Sequence, residues 1–443
     1  MSSASWHALS RFLLYRWAGP CLKHGAARKA RHDTFPGPGF RLGSAPAVRA
    51  HGGNGDRQGG GVRRRRECPR ARPVAAPTVP PSRRGSGARF LPATLTLVLA
   101  LATAAPSAAQ TIGIAAPASD AVALLGAQIR TGAEIAAAVR GIPPDRLVVA
   151  DDGCSAEGGA EAARTFVSRK AGIVVGFLCT EAIEAALPIL SRAGIPVVTP
   201  GVRADALTDR RERTGWPVFR TAPRDDDEEE AIAAYLLPRW RDTLFALVDD
   251  GTIYGRELVE SFRLAAEMAG LKPVFVDTYR PQMDNQIGLV ARLRRAGATH
   301  VLVGGDRADV AIMGRDAAGL GYALTIAAGE TLRAAPDGPP LAEGTLMVGL
   351  PEPAEIAAPE ALAAFAVRTI VPEGYMLPAY AAVEIAAQAL TEAEASGKPA
   401  ADVLGTGTFG TALGAIAFDA KGDLAHNPYR LFRHDGRTFV EVP

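Results

Sequence analysis

From Thr111 onward, short apolar runs alternate with stretches in which apolar residues recur every three or four positions. The first pattern predicts buried β-strands and the second predicts amphipathic helices. The predicted strands are TIGIAAP, RLVVADD, GIVVGFL, IPVVTPG, LFALVDD, KPVFVDTY, HVLVGGD, LTIAAGE and TLMVGLP. Helical patterns such as GGAEAARTFVSRKA and GRELVESFRLAAEMAG lie between them. This alternation predicts an α/β protein whose parallel sheets are covered by helices on both faces.

The predicted strands divide into two doubly wound sheets, with the break near Pro223. The acidic run RDDDEEE (Arg224–Glu230) follows this proline, and we interpret it as the solvated first turn of a helix, stabilised by the helix dipole. Residues 378–396 predict a long helix, and the sequence from GAIAFDAKGDL onward predicts a closing β segment.

The charges of the chain are segregated along its 443 residues. Residues 1–90 hold 18 Lys and Arg against 3 Asp and Glu, whereas residues 91–443 hold 31 and 44, a balance of −13. An acidic main body argues against nucleic-acid binding. Residues 1–89 are rich in Gly, Pro, Arg and Ala and lack apolar periodicity, which predicts a disordered basic extension or a start codon assigned too far upstream.

Residues 90–109 have the organisation of a secretory signal peptide. The basic SRRGSGARF precedes the apolar LPATLTLVLALATAA, and PSAAQ then supplies small residues suited to cleavage after Ala109. The apolar run is shorter than the roughly 20 residues of a spanning helix, which leaves an uncleaved anchor as the alternative. We therefore expect an exported chain that begins near Gln110.

Motifs of catalysis and cofactor binding are missing from the sequence. The first strand is not followed by a glycine-rich phosphate loop, and neither a G-x-S-x-G elbow nor a Walker motif occurs. The histidines after residue 109, His300, His426 and His434, lack the spacing of metal ligands. We accordingly expect no enzyme, no cofactor and no metal site.

Two cysteines remain after the expected cleavage, Cys154 in DDGCSAEGG and Cys179 in GFLCTEA. Each follows the end of a predicted strand, where it could be a nucleophile, a metal ligand, a small core residue or half of a disulfide. Export favours the disulfide. If the first strand lies between theirs, the two strands are about 10 Å apart, and their loops must converge until the Cα atoms are within ~7 Å.

Several motifs in order give the chain a family resemblance. With DDGCSAEGGAEAA, VGFLCT, GIPVVTPG, VDDGTIYGREL, AAGE and FDAKGDL, residues 111–443 resemble the periplasmic solute-binding proteins of branched-chain amino-acid ABC importers, the leucine/isoleucine/valine-binding family. The resemblance implies two lobes joined by three crossings near residues 223, 351 and 427, and a disulfide between Cys154 and Cys179. The implied lobes are 110–222 with 352–427, and 223–351 with 428–443.

The resemblance also implies a ligand site between the lobes. Thr180 matches a hydroxyl that holds a ligand carboxylate, Gly201 a backbone contact, Tyr254 a cleft aromatic, and Glu330 the carboxylate that takes a ligand ammonium. Thr180 and Gly201 follow predicted strands, where the loops of open α/β sheets bind ligands and helix N-termini favour anions.

Three further candidate site residues depart from the family pattern. Arg203 replaces a threonine, Asp306 replaces an aromatic residue, and Glu181 stands where small hydroxyl residues are common. Arg203 either pairs with Glu181 or captures a ligand carboxylate directly. Because these changes place charged side chains in the pocket, we expect a charged or amide-bearing ligand in preference to leucine, isoleucine or valine.

Together these features predict a monomeric periplasmic receptor that captures a small amino-acid-like or amide solute. By resemblance, its partners are an ABC permease and ATPase in the inner membrane. The alternative is a ligand-sensing or regulatory module of the same fold, because a fold does not fix a function.

Overall fold

The computed structural model describes residues 111–442. Its strands are β1 (Thr111–Ala115), β2 (Leu147–Ala150), β3 (Ala171–Gly176), β4 (Val197–Thr199), β5 (Val218–Arg220), β6 (Phe245–Asp249), β7 (Phe275–Thr278), β8 (His300–Gly304), β9 (Thr325–Ala328), β10 (Leu346–Gly349), β11 (Thr408–Thr411), β12 (Gly414–Ala417), β13 (Arg430–His434) and β14 (Phe439–Glu441).

Helices connect most of these strands. They are α1 (Ala123–Val139), α2 (Ala156–Ser168), α3 (Thr180–Arg192), α4 (Ala206–Asp209), α5 (Arg211–Thr214), α6 (Asp227–Trp240), α7 (Ile253–Met268), α8 (Ile287–Ala296), α9 (Arg307–Gly319), α10 (Pro353–Ile356), α11 (Pro359–Ala366), α12 (Met376–Ser396) and α13 (Ala400–Thr406). Single 3₁₀ turns occur at Asp120–Val122, Pro144–Arg146 and Glu330–Arg333.

Local sequence explains where α7 begins and which face it buries. The Thr252 side chain caps the helix by accepting a hydrogen bond from the N–H of Gly255 at 3.0 Å. Leu258, Val259 and Phe262 then recur at helical spacing and are buried. The cap and the apolar face together orient this helix on its sheet.

The first sheet is wholly parallel and, within residues 111–442, consists of five strands in the order β2-β1-β3-β4-β5. Its core includes Ile114, Val174 and Val198, and α12 from the C-terminal part of the chain packs on it through Val383 and Ile385. We call this sheet, with α1–α5, α10–α13 and the β11–β12 hairpin, the first lobe.

The second sheet has, in the part of the chain that the structure describes, the order β14-β13-β10-β9-β8-β6-β7. Strands β6–β10 are parallel, whereas β13 and β14 extend the sheet in antiparallel fashion. Along β8, Val301 and Val303 face one core while Leu302 faces another, so both sides of the sheet are buried. We call this sheet, with α6–α9, the second lobe.

The chain passes between the lobes in three places along residues 111–442. It crosses between β5 and α6, between β10 and α10, and between β12 and β13. A fold with two doubly wound lobes joined by three crossings is therefore confirmed. The residue bounds of each lobe given above stay a prediction, and those of residues 1–110 lie outside the described residues.

Every strand predicted from the apolar runs is present, but β5, which is only three residues long and ends in Arg220, was not predicted. The long C-terminal helix and the closing β segment are also confirmed. The interpretation of the acidic run is wrong at one residue, since Glu228 is 5% exposed and therefore not solvated. Among residues 111–442, no helix is both long and apolar enough to cross a membrane.

Candidate ligand-binding site

Cys154 and Cys179 form a disulfide with their Cα atoms 5.2 Å apart. Strand β1 lies between β2 and β3, so the bond joins two loops that follow non-adjacent strands. The loop after β3 turns through Gly176 and Phe177, whose φ angles of 123° and 64° lie in the left-handed region. A bulky residue held there is strained, and such strain often accompanies functional loops.

The loop after β4 is folded back on the loop after β3. The Thr199 hydroxyl donates to the carbonyl of Phe177 at 3.2 Å and accepts from the N–H of Val202 at 3.2 Å. A Cβ atom on Gly201 would lie 2.4 Å from Cδ2 of Leu178, so this close approach requires glycine. The two loops thus bring the start of α3 close to the segment that carries Arg203.

Arg203 extends from the first lobe to groups of the second. Its Nη1 lies 2.9 Å from Oε1 of Glu330, and its Nη2 donates to the hydroxyl of Tyr429, which precedes β13. Its Nε is 3.9 Å from Oδ1 of Asp225, which is an ion-pair distance but too long for a hydrogen bond. The Arg203 and Glu330 side chains are 30% and 29% exposed. The contact is therefore a half-buried ion pair between the lobes.

A second carboxyl group, that of Glu228, contacts the backbone of Glu330. The N–H of Glu330 donates to Oε1 of Glu228 at 2.6 Å, and the hydroxyl of Tyr254 donates to the same oxygen at 3.1 Å. A Cβ atom on Gly329 would lie 2.1 Å from that oxygen, so the glycine permits the approach. We call Arg203, Glu228, Tyr254, Glu330 and Tyr429 the Arg203 cluster.

Burial sets the protonation of this cluster. Desolvation, and then the charge of Glu330, raises the pKa of Glu228 from its ordinary 4.5 to about 8. Burial by itself would lower the pKa of Arg203, but Glu330 and Tyr429 outweigh it and raise that pKa. Near neutral pH, Glu228 is therefore mostly protonated, and Arg203 and Glu330 carry the opposite charges of the cluster.

A third tyrosine, in the first lobe, is within electrostatic range of the ion pair. Tyr375 precedes α12, and its N–H donates to Oε1 of Gln128 at 3.2 Å. Burial raises the pKa of Tyr375, while the charge of Arg203 lowers it and that of Glu330 raises it. The charges of the pair therefore act on a phenol group of the first lobe as well as on those of the second.

The segment that carries Arg203 is fixed by Arg220, which is fully buried at the end of β5. Nη1 of Arg220 donates to the carbonyls of Arg203 at 2.6 Å and Ala204 at 2.9 Å, and its Nε donates to Oδ1 of Asp423 at 2.8 Å. Arg224 adds a contact to Oδ2 of the same carboxylate at 3.0 Å. Asp423 thus ties the first crossing to the third and holds the backbone of Arg203.

The structure brings only some of the predicted site residues together. Arg203, Tyr254 and Glu330 meet in the Arg203 cluster, and Gly201 and Thr180 lie on its first-lobe side at the two touching loops. Glu181 is exposed and has no side-chain partner among residues 111–442, so the suggested Arg203–Glu181 pair is wrong, and Arg203 pairs with Glu330.

Asp306 lies at the start of α9, in the N-cap position. Its charge raises the pKa values of Tyr279 and Asp309, for which burial is the larger cause. From the sequence, Asp306 and Arg203 were expected to share one role as charged pocket residues, and the structure assigns them different neighbours.

Glu228, Tyr429 and Tyr375 were not predicted from the sequence. Glu228 is one of several acidic residues in a row, and only the packing of α6 buries it. Tyr429 and Tyr375 are aromatic residues next to the start of a strand and of a helix, a position that could have marked them as candidates. Nothing in the sequence pattern indicated that they would lie near Arg203.

Comparisons with known proteins agree on one family. A family model described as periplasmic binding protein matches residues 109–438. The chain is 31% identical to Leu/Ile/Val-binding protein homolog 3 of Brucella melitensis over 343 residues, which cover 74% of this chain and 92% of the relative.

A second relative is the leucine-, isoleucine-, valine-, threonine-, and alanine-binding protein of Pseudomonas aeruginosa. It is 27% identical over 351 residues, which cover 75% of this chain and 91% of the relative. The fold is also similar to a solved ABC transporter substrate-binding protein from Desulfitobacterium hafniense in complex with leucine. The TM-score is 0.54 at 23% identity, and the match covers 75% of this chain and 99% of that one.

Proposed function

The chain belongs to the periplasmic binding protein family, and from this premise we propose that it is the substrate-binding component of an ABC importer. It captures an amino-acid-like or other small polar solute between its lobes and delivers it to a permease and an ATPase in the inner membrane. We propose a periplasmic location, a monomeric state and binding without catalysis. The proposed ligand-contacting residues are Thr180, Glu181, Gly201, Arg203, Tyr254, Asp306 and Glu330.

One observation carries this proposal, namely that polar groups of both lobes meet at the Arg203 cluster. Arg203 comes from the first lobe and Glu330 from the second, and the chain crosses between the lobes beside them. A solute that contacts both lobes makes its full set of contacts only when the lobes are closed, so it shifts the population toward closure. A permease that binds only the closed form would then bind only the protein that carries a solute.

Identifying the bound solute tests this function. The exported protein is purified and then unfolded to release any bound molecule, which is identified by mass spectrometry. The identified compound is then titrated into refolded, ligand-free protein and its binding is measured by calorimetry. We expect one small polar solute per chain and a smaller radius of gyration in solution scattering when it is added. Arg203→Gln should weaken binding by about tenfold or more, since it removes the charged donor group that extends from the first lobe to the second.

The matched control is Arg430→Gln, which removes an exposed ion pair with Glu441 inside the second lobe. It should bind the solute as the wild type does. A protein that binds no small solute and does not compact contradicts the proposal, and turnover of the solute indicates an enzyme instead. A solute that promotes association with a signalling protein, rather than uptake, favours the sensing alternative.

A further inference from the structure

The Arg203 cluster already contains the cation that its ionised carboxylate needs. Glu330 is paired with Nη1 of Arg203 at 2.9 Å. The other carboxyl group of the cluster, Glu228, accepts hydrogen bonds from Tyr254 and from the backbone of Glu330, and burial favours its neutral form. An ammonium group that enters the cluster therefore finds no unpaired carboxylate there.

Arg203 is well held in this position. Its carbonyl accepts from the buried Arg220, its Nη2 donates to Tyr429, and its guanidinium carbon lies 5.9 Å from the centre of the Tyr429 ring. An ammonium could reach Glu330 only by displacing the guanidinium. That exchange substitutes one cation for another and leaves Tyr429 and Arg203 without their present partners, so it yields little net free energy.

An acceptor, in contrast, has a donor available. Nε of Arg203 is buried and faces Oδ1 of Asp225 at 3.9 Å, whereas the side chain as a whole is 30% exposed, so the second N–H groups of Nη1 and Nη2 are the donors that a ligand can reach. A guanidinium carries five N–H donors in one plane, and its ion pair and its bond to Tyr429 use only part of them. Carboxylate oxygens match this arrangement better than any neutral acceptor does, since a charge-assisted hydrogen bond is the stronger one.

We propose that Arg203 is the built-in counter-ion of Glu330 and thereby makes the cleft select a small carboxylate that carries no ammonium group. The ligand carboxylate binds the remaining N–H donors of Arg203, and Glu330 is not used to hold a ligand cation. This inference rests on the proposed function and narrows its amino-acid-like or polar solute to one chemical class.

Matched pairs of compounds test this selection. Leucine is compared with 4-methylpentanoate, alanine with propionate, phenylalanine with 3-phenylpropionate, and glutamate with glutarate, so that each pair differs only in the amino group. Binding to the purified full chain is measured by thermal shift and then by calorimetry. In every pair that binds, the acid without the amino group should bind at least about tenfold more tightly than the amino acid. The reason is that the positive charge of an ammonium group is repelled by Arg203.

The variants Arg203→Gln and Glu330→Gln test whether the preference for an acid without an amino group comes from Arg203. Arg203→Gln releases Glu330, so the preference against the amino acid should shrink or reverse. Glu330→Gln leaves the cation in place and should keep the preference, which provides a second readout if Arg203→Gln does not fold. The control Arg430→Gln should keep the wild-type preference.

The outcomes separate this inference from the proposed function. Wild-type protein that prefers the amino acid of a pair, or Arg203→Gln protein that keeps the wild-type preference, overturns the inference. A panel in which no carboxylate stabilises the protein also overturns it. None of these results contradicts the proposed function. That function is contradicted only if the exported protein neither contains a bound small solute after purification nor binds one when it is added.

Discussion

Arg203 and Glu330 are 127 positions apart and belong to different lobes, yet Nη1 of Arg203 lies 2.9 Å from Oε1 of Glu330. The pair is positioned from both sides, by Arg220 on the backbone of Arg203 and by Glu228 on the backbone of Glu330. It connects the two halves of the molecule through a charge interaction that solvent only partly screens.

The interlobe pair should contribute modestly to stability. Because both side chains are about one-third exposed, we expect a coupling energy of at most about 1 kcal/mol between Arg203→Gln and Glu330→Gln in a double-mutant cycle. Chemical denaturation at low and high salt measures it, and high salt should reduce it. A coupling near zero at low salt contradicts a role for this pair in joining the lobes.

Glu228 should make stability depend on pH. The folded protein binds the Glu228 proton more tightly than the unfolded chain does, so the free energy of unfolding falls as pH rises from 4.5 to about 8. Glu228→Gln does not titrate, and its amide oxygen can accept both hydrogen bonds. We expect the free energy of unfolding of this variant, relative to that of the wild type, to rise with pH by up to about 5 kcal/mol across the window, since each pKa unit is worth about 1.4 kcal/mol.

Thermal and denaturant unfolding across this pH range measure the difference between Glu228→Gln and wild type. Glu257→Gln, at an exposed position of α7, is the control for the loss of one glutamate. A difference between Glu228→Gln and wild type that does not change with pH shows that Glu228 ionises in the folded protein as it does in the unfolded chain.

Asp423→Ala should be strongly destabilising. It leaves the fully buried guanidinium of Arg220 without its carboxylate, and removing one partner of a buried ion pair costs about 3–5 kcal/mol. The control is Asp277→Ala, which removes an exposed pair with Arg292 and should cost less than about 1 kcal/mol. Denaturant unfolding of the two variants compares these costs, and equal costs mean that Arg220 finds another partner.

Removing the disulfide should lower stability through the unfolded state. Cys154 and Cys179 are separated by 25 positions, and closing a loop of this size is worth roughly 3.5 kcal/mol on the chain-entropy model. We expect a Cys154→Ser, Cys179→Ser double variant to lose about this much in denaturant unfolding. A thiol assay on native exported protein should detect no free thiol at these positions, and two free thiols contradict the bond.

Local sequence determined most of the fold. Apolar runs of strand length, separated by amphipathic stretches, specify buried parallel strands and covering helices wherever they occur, because this pattern buries both faces of a sheet. The short strand β5 could not be predicted in this way, since its terminal Arg220 is fully buried only because Asp423 and the carbonyls of Arg203 and Ala204 take its hydrogen bonds.

The candidate site was only partly readable from the sequence. Strand-end positions and family resemblance indicated Arg203, Tyr254 and Glu330, since loops at the carboxyl ends of parallel strands meet at one edge. The partner of Arg203 was not readable. The sequence suggested Glu181 or a ligand carboxylate, whereas the contact with Glu330 spans 127 positions and depends on how the lobes are placed.

The sequence by itself thus determined most of the elements, their α/β class and the cysteines that could pair. Only the tertiary structure decided which carboxylates are buried and thereby desolvated. Glu228 is buried and Glu181 is exposed, although both lie in the first turn of a helix. Desolvation depends on what packs against a side chain from elsewhere in the chain, and it is this surrounding, more than residue type, that sets the charge of the cleft.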